Sequence, residues 1–214
     1  AAGLVRLLAG QGRRVIGLKP IASGADRTTA GLRNADALAL AAESSVHVPY
    51  AATNPYCFEP AIAPHLAAAE AGMPVAVTEL IRWYGAASAD AEFVIVEGAG
   101  GWRVPLHPQG FLSDLPEQLG LGVVLVVGLR LGCLNHARLT LEAIERAGRC
   151  RFVGWIGCQV DPAFAPLGAN LDTLARLLGQ PALAVVPHLA EPDADRTASH
   201  LATPALNRAL AAPA

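Results

Sequence analysis

Five short apolar runs punctuate the chain: Arg14–Leu18, Phe93–Val96, Val123–Val127, Val153–Ile156 and Leu183–Val186. They lack the polar–apolar alternation of a half-solvated strand, and each is followed at once by Gly, Pro or a charged residue. That pattern predicts strands of a sheet covered on both faces. Helical spacing fills the segments around and between them: Gly3–Ala9, Asp36–Ala42, Ile62–Ala71, Thr78–Ala87, Leu139–Ala147 and Leu171–Leu178. Asn54–Pro60 reads as a loop. Strands alternating with helices imply right-handed β-α-β crossovers and a parallel sheet. The expected fold class is therefore α/β, a three-layer, doubly wound, mainly parallel sheet. Residues 1–190 read as one domain. The remainder, 191–214, is rich in Ala, Pro and Asp and reads as a loosely packed terminal helix or a disordered tail.

Composition narrows the function classes. Of the 214 residues, 53% are hydrophobic and 16% charged, which excludes disorder for the whole chain. A net charge of −2 supplies no field for nucleic acid or anionic lipid. Aromatic residues, at 5%, are too few for a base-stacking platform. The longest apolar run falls far short of a membrane span, and no signal-like segment opens the sequence. Cys57, Cys133, Cys150 and Cys158 lack metal-ligand spacing and are expected as buried, reduced thiols. These features fit a cytoplasmic globular protein. Of the 16 basic residues only Lys19 is a lysine. Its survival in an otherwise all-arginine set hints at a position needing a compact point charge rather than a planar fork.

In doubly wound sheets, ligands gather beyond the carboxyl ends of the strands. After Arg14–Leu18 comes Lys19-Pro20-Ile21-Ala22-Ser23-Gly24, a cation and a hydroxyl beside a glycine. It reads as a phosphate or carboxylate site, or as an ordinary polar loop. Gly31-Leu32-Arg33-Asn34-Ala35-Asp36 leads into a helix; Asn34 suits an N-cap and Asp36 the first turn, or Asp36 ligates Mg²⁺. After Phe93–Val96, Glu97-Gly98-Ala99-Gly100-Gly101-Trp102 puts a carboxylate and a glycine-rich loop at a strand end. It reads as a Walker-B-like acid beside backbone N–H groups aimed at phosphate, with a helix cap and tight turn as the plain alternative. Gly132-Cys133-Leu134-Asn135-His136 precedes a helix, with Asn135 near its cap and N–H groups suited to a carboxylate. Gly157-Cys158-Gln159 and Pro187-His188-Leu189 follow the last two strands and would frame a base if the ligand is a nucleotide.

These segments, in this order, resemble the dethiobiotin synthetase family. The set Lys19–Gly24, Gly31–Asp36, Asn54-Pro55-Tyr56, Ala63-Pro64-His65, Glu97–Trp102 and Gly132–His136 carries the resemblance. The resemblance implies a P-loop NTPase-like fold and a homodimeric, Mg²⁺-dependent ligase of biotin synthesis. Such an enzyme takes 7,8-diaminononanoate, CO₂ and ATP to dethiobiotin, ADP and phosphate. By position, it makes Lys19 the active-site lysine facing carbamate and γ-phosphate, and Ser23 the hydroxyl beside the diamine. Asp36 and Glu97 become Mg²⁺ ligands, and Gly98, Ala99 and Gly100 contacts to phosphate and substrate. Gly132, Cys133, Leu134 and Asn135 then hold the substrate carboxylate across the dimer interface. Cys158, Gln159, Pro187, His188 and Leu189 line the base.

The family also opens with a strand and a Gly-x-x-x-x-Gly-Lys-Thr loop, a motif this sequence does not contain. Its first residues, Ala1-Ala2-Gly3-Leu4, resemble the helix behind that loop, so a strand and loop of about 15–20 residues are expected upstream. A protein truly without them is expected to show little ATP-dependent activity. Arg130 stands where many family members carry Lys, and Cys158-Gln159 where an Asn commonly contacts adenine. A cobyrinate-type amidoligase, a non-catalytic nucleotide-binding scaffold and a partition-type switch ATPase are the rival readings. The Lys19–Gly24 and Gly132–His136 motifs speak against the last.

Overall fold

The structure, a computed structural model, describes residues 1–211. Its contacts divide the chain into two compact units, Ala1–Leu119 and a second from Gly120 onward.

The first unit holds α1 (Ala2–Gly10), β1 (Val15–Leu18), β2 (Ile21–Ala22), β3 (Asp26–Thr28), β4 (Gly31–Arg33), α2 (Ala35–Glu43) and α3 (Tyr50–Thr53). It continues through β5 (Tyr56–Cys57), α4 (Pro64–Glu70), α5 (Val77–Ala87), β6 (Phe93–Val96), β7 (Pro105–His107), β8 (Gly110–Phe111) and α6 (Asp114–Leu119). β1 and β6 pair in parallel, Val15 opposite Phe93 through Leu18 opposite Val96. Every residue of β1 is buried, as the unbroken apolar run requires. Two-stranded ribbons β2–β5, β3–β4 and β7–β8 extend the unit. Asn54–Pro60, expected as loop, thus contributes β5, whose two residues pair with Ile21 and Ala22. A two-residue strand leaves no periodicity to read.

Gly17 sets how closely α2 approaches β1. A Cβ there would lie 2.9 Å from Leu40 Cβ and Cδ2. Leu40 is fully buried, which contributes about 1.5–3 kcal/mol. Ser44 closes the seam: its hydroxyl accepts the Gly17 N–H at 2.9 Å and donates to the Leu40 carbonyl at 2.7 Å. The C-terminal half of α2 is thereby fixed against β1.

The second unit holds β9 (Gly122–Gly128), α7 (Cys133–Ala147), β10 (Arg151–Cys158), α8 (Leu167–Leu177), β11 (Ala184–Val186), α9 (Ala194–Leu201) and α10 (Pro204–Ala211). β9, β10 and β11 form a parallel sheet with β10 in the middle. Trp155 is wholly buried in its core and donates its indole N–H to Gln180 O at 2.8 Å. The tail is more ordered than expected. Asp193 caps α9 by accepting from Arg196 N, and Leu201 and Leu206 are buried. The alanine-rich composition masks those two apolar anchors. The last three residues of the tail, 212–214, lie outside the described residues.

All four cysteines are free; Cys133 is buried and the other three half-buried, a correction to the expectation of uniform burial. Among the described residues no helix is long and apolar enough to cross a membrane.

Candidate active site

Lys19 is the first residue after β1, and its side chain turns inward: the residue is 4% exposed. A buried ammonium is costly unless paired, and here all three of its protons are used. Nζ donates to Asp36 Oδ2 at 2.9 Å, Glu97 Oε1 at 2.7 Å and Gly98 O at 3.1 Å. Three separate sequence segments are thus gathered on one cation. Asp36 arrives on the first turn of α2, whose N-cap is Asn34; the Asn34 side chain accepts from Asp36 N and Ala37 N. Glu97 arrives by register: its N–H donates to Leu18 O at 2.8 Å, continuing the β1–β6 ladder by one bond. The carboxylates remain accessible, with Asp36 58% and Glu97 28% exposed at the side chain. The group is an ammonium below two solvent-reaching carboxylates, with one net negative charge.

The loop after Glu97 is tight. Gly100 and Gly101 adopt φ of 78° and 151°, conformations that favour glycine. Gly101 N donates to Ala99 O at 3.0 Å. Two polar atoms of the motif loops are buried without a hydrogen-bond partner, Ser23 Oγ and Trp102 Nε1. Such orphans in a native interior call for a ligand or water. The Ser23 hydroxyl makes no bond to Lys19.

The remaining candidate residues lie in the second unit. α7 begins at Cys133, with Gly132 as its N-cap at φ 92°. Asn135 is therefore the third residue of the helix rather than its cap. Glycine alone takes that left-handed turn without strain, and no side-chain cap is made. Cys133 N donates to Arg130 O. The N–H groups of Leu134 and Asn135 belong to the first turn, where the helix offers no acceptor. Asn135, His136 and Arg130 are exposed.

Sheet pairing brings together the two segments expected to frame a base. Cys158 lies opposite Val186, and Gln159 N donates to Val186 O at 2.9 Å, so Cys158-Gln159 and Pro187-His188-Leu189 leave the sheet side by side. Burial pushes the Cys158 thiol pKa up, so it stays protonated and unreactive near neutrality.

Sequence reasoning missed what holds Lys19 from behind. Lys19 N donates to Thr53 O at 2.9 Å, and Asn54 Nδ2 donates to Lys19 O at 2.7 Å. Asn54 was singled out only as part of a motif, because a bond to a backbone carbonyl leaves no mark on the partner's identity.

Comparison with known proteins follows the same lines. A family model described as an AAA domain matches residues 1–196. The MinD cell division protein of Aquifex aeolicus superposes with a TM-score of 0.52 at 15% identity, covering 98% of this chain and 86% of its own. A septum site-determining protein MinD complexed with Mg-ADP, from Pyrococcus horikoshii OT3, gives 0.52 at 15% identity, covering 99% and 82%. The class is α/β and P-loop NTPase-like, with parallel strands and covering helices. Among curated sequences, the ATP-dependent dethiobiotin synthetase BioD of Pseudomonas paraeruginosa (strain DSM 24068 / PA7) is 50% identical over 204 residues, covering 94% of this chain and 88% of the relative. That of Cellvibrio japonicus (strain Ueda107) is 45% identical over 201 residues, with the same coverage. The chain belongs to the ATP-dependent dethiobiotin synthetase family, ligases that form C–N bonds in biotin synthesis.

Proposed function

We propose that this chain carries out the Mg²⁺- and ATP-dependent carboxylation and ring closure of 7,8-diaminononanoate to dethiobiotin. One amine of the diamine adds to CO₂ and loses a proton, giving a carbamate. A carbamate oxygen takes the γ-phosphoryl group and ADP leaves. The second amine attacks the carbamate carbon, expels phosphate and loses a proton, closing the ureido ring. The protein acts as a cytoplasmic homodimer, as its family resemblance implies.

The observation that carries this reading is the threefold hydrogen bonding of the single lysine at a strand end. Phosphoryl transfer needs a compact positive charge where negative charge spreads over the transferring oxygens. Lys19 is that group. Its three protons are spent in the free protein, so an arriving phosphoryl oxygen displaces one of its acceptors. The orphaned Ser23 hydroxyl suits the carbamate or an amine of the diamine. Gly98, Ala99 and Gly100 offer backbone groups to phosphate and substrate. Gly132, Cys133, Leu134 and Asn135 take the substrate carboxylate. Cys158, Gln159, Pro187, His188 and Leu189 take the base of ATP.

Mg²⁺ fits the donor set. Asp36 and Glu97 are hard oxygen donors already converging on one cation. Mg²⁺ needs only one or two protein carboxylates, with phosphate and water completing its shell. When bound, the ion neutralises charge on the phosphates.

The test is dethiobiotin formation from the diamine, bicarbonate and MgATP, comparing the protein with Lys19→Ala. Loss of roughly 10³-fold in kcat is expected, at the upper end for removing one preorganised donor. Retention of the parental rate would reject Lys19 as the catalytic group.

A further inference from the structure

Lys19 and Asp36 meet at an ammonium–carboxylate bond, and they are also joined by a second route. The Lys19 carbonyl accepts from Asn54 Nδ2 at 2.7 Å, and the same amide donates to Tyr56 O at 3.1 Å. Asn54 Oδ1 lies 3.1 Å from the Tyr50 hydroxyl. That hydroxyl accepts the Asn34 N–H at 2.8 Å. Asn34 Oδ1 accepts from Asp36 N at 3.1 Å and Ala37 N at 3.3 Å. The route from Lys19 to Asp36 is continuous, and the Nζ–Oδ2 bond closes it into a ring.

The protons in this ring assign themselves. An amide oxygen only accepts, so Tyr50 donates to Asn54. A backbone N–H only donates, so Tyr50 accepts from Asn34. Cys57 Sγ, at 3.5 Å, is left to donate to the second lone pair of the phenol. Every valence of the hydroxyl is filled. The Arg33 guanidinium lies 4.2 Å from the centroid of the Tyr50 ring and holds it by a cation–π contact. Burial is the main cause that pushes the phenol pKa up to about 12, so the proton that the ring depends on is kept. Asn54 and Asn34, at 2% and 7% exposed, are shielded from competing water.

We propose that Tyr50 is a positioning residue: its hydroxyl ties the strand-end backbone carrying Lys19 to the helix cap carrying Asp36, and so sets their spacing. The assignment rests on reading Lys19 and Asp36 as site residues. Tyr50 touches neither charged group. It acts through Asn54 on one side and Asn34 on the other.

The hold on Lys19 can be read directly at its ammonium group, which makes the test independent of turnover. Lysine-selective ¹⁵N labelling gives a side-chain ammonium signal for Lys19, assigned by its absence from Lys19→Arg, and its hydrogen exchange with water reads how firmly Nζ is held. The parent is expected to exchange slowly. Tyr50→Phe keeps the ring and its stack on Arg33, and is expected to speed exchange about tenfold, the scale of one lost hydrogen bond. Cys57→Ala removes a contact outside the ring and is expected to change exchange by less than about twofold. Should Tyr50→Phe fold poorly, Asn54→Asp keeps the acceptor for Tyr50, deletes the donor to Lys19 and is expected to give the same acceleration. Unchanged exchange in Tyr50→Phe, or an equal acceleration in Cys57→Ala, would overturn the positioning role. A parent whose Lys19 exchanges as fast as a solvated lysine would overturn the site reading itself, and the positioning role with it.

Discussion

The candidate residues of the two units are prepared in different ways. In the first unit the groups are charged side chains, and they are already engaged with one another: Lys19 with Asp36, Glu97 and Gly98. In the second unit, at Gly132–Asn135, the groups are backbone N–H donors at the start of α7, with no side-chain cap. The neighbouring Leu131 is 93% exposed. A buried ammonium must be paired before a ligand arrives, because desolvating it alone costs several kcal/mol. A helix start needs no such pairing, since water serves its donors until a carboxylate replaces it. On the proposed function, charge handling is preassembled, whereas anion docking is left open.

The sharpest way to break this contrast is Gly17→Ala. The added methyl meets Leu40 at 2.9 Å and must push α2 from β1, at about 1–3 kcal/mol. Thermal unfolding should shift down by roughly 2–4 °C for each kcal/mol, and dethiobiotin formation should fall with it as Asp36 moves off Lys19. An unshifted melting curve would mean that α2 is not seated by this contact. A change in the second unit should behave differently. Asn135→Ala alters an exposed residue, so stability should stay within about 0.5 kcal/mol. KM for the diamine should change by less than about twofold, because alanine keeps the backbone N–H offered to the carboxylate. A fall in kcat instead would place Asn135 in the chemistry.

The smallest effect is in pH. The folded-state pKa of Tyr50 is raised from 10.0 to about 12. The folded protein therefore holds this proton more tightly than the unfolded chain. The resulting stability is whole below pH 10 and is lost as pH rises towards about 12. Denaturant unfolding of the parent should weaken across that window more than that of Tyr50→Phe. Equal slopes would show that the phenol is not protected.

How much of this could be read from the sequence depended on where the information lay. Phe93–Val96 was legible to the residue, because an unbroken apolar run flanked by Glu92 and Glu97 admits one reading. Lys19, Asp36 and Glu97 were legible because strand ends and first helical turns are where the fold gathers chemistry. The helix expected over Leu139–Ala147 begins six residues earlier, at Cys133, since Asn135 is a better cap by composition than Gly132, and only backbone geometry favours the glycine. The ribbons β3–β4 and β7–β8 contain strands of two or three residues, too short to show a period. The Tyr50–Asn54 link was invisible because half of its bonds end on main-chain atoms, which every residue type supplies alike.

Register has a consequence in time as well as in space. Glu97 meets Lys19 only once β1 and β6 have paired, across a sequence separation of 78 residues. Contacts of such long range form late, because loop closure must be completed before they contribute. Asp36, 17 residues away, can find the ammonium much sooner. During folding the lysine is therefore expected to pass through a stage with one carboxylate before it acquires two. The second salt bridge is the chain's own signal that the strands have aligned, and a chain slipped along β1 would fold with Lys19 short of one carboxylate.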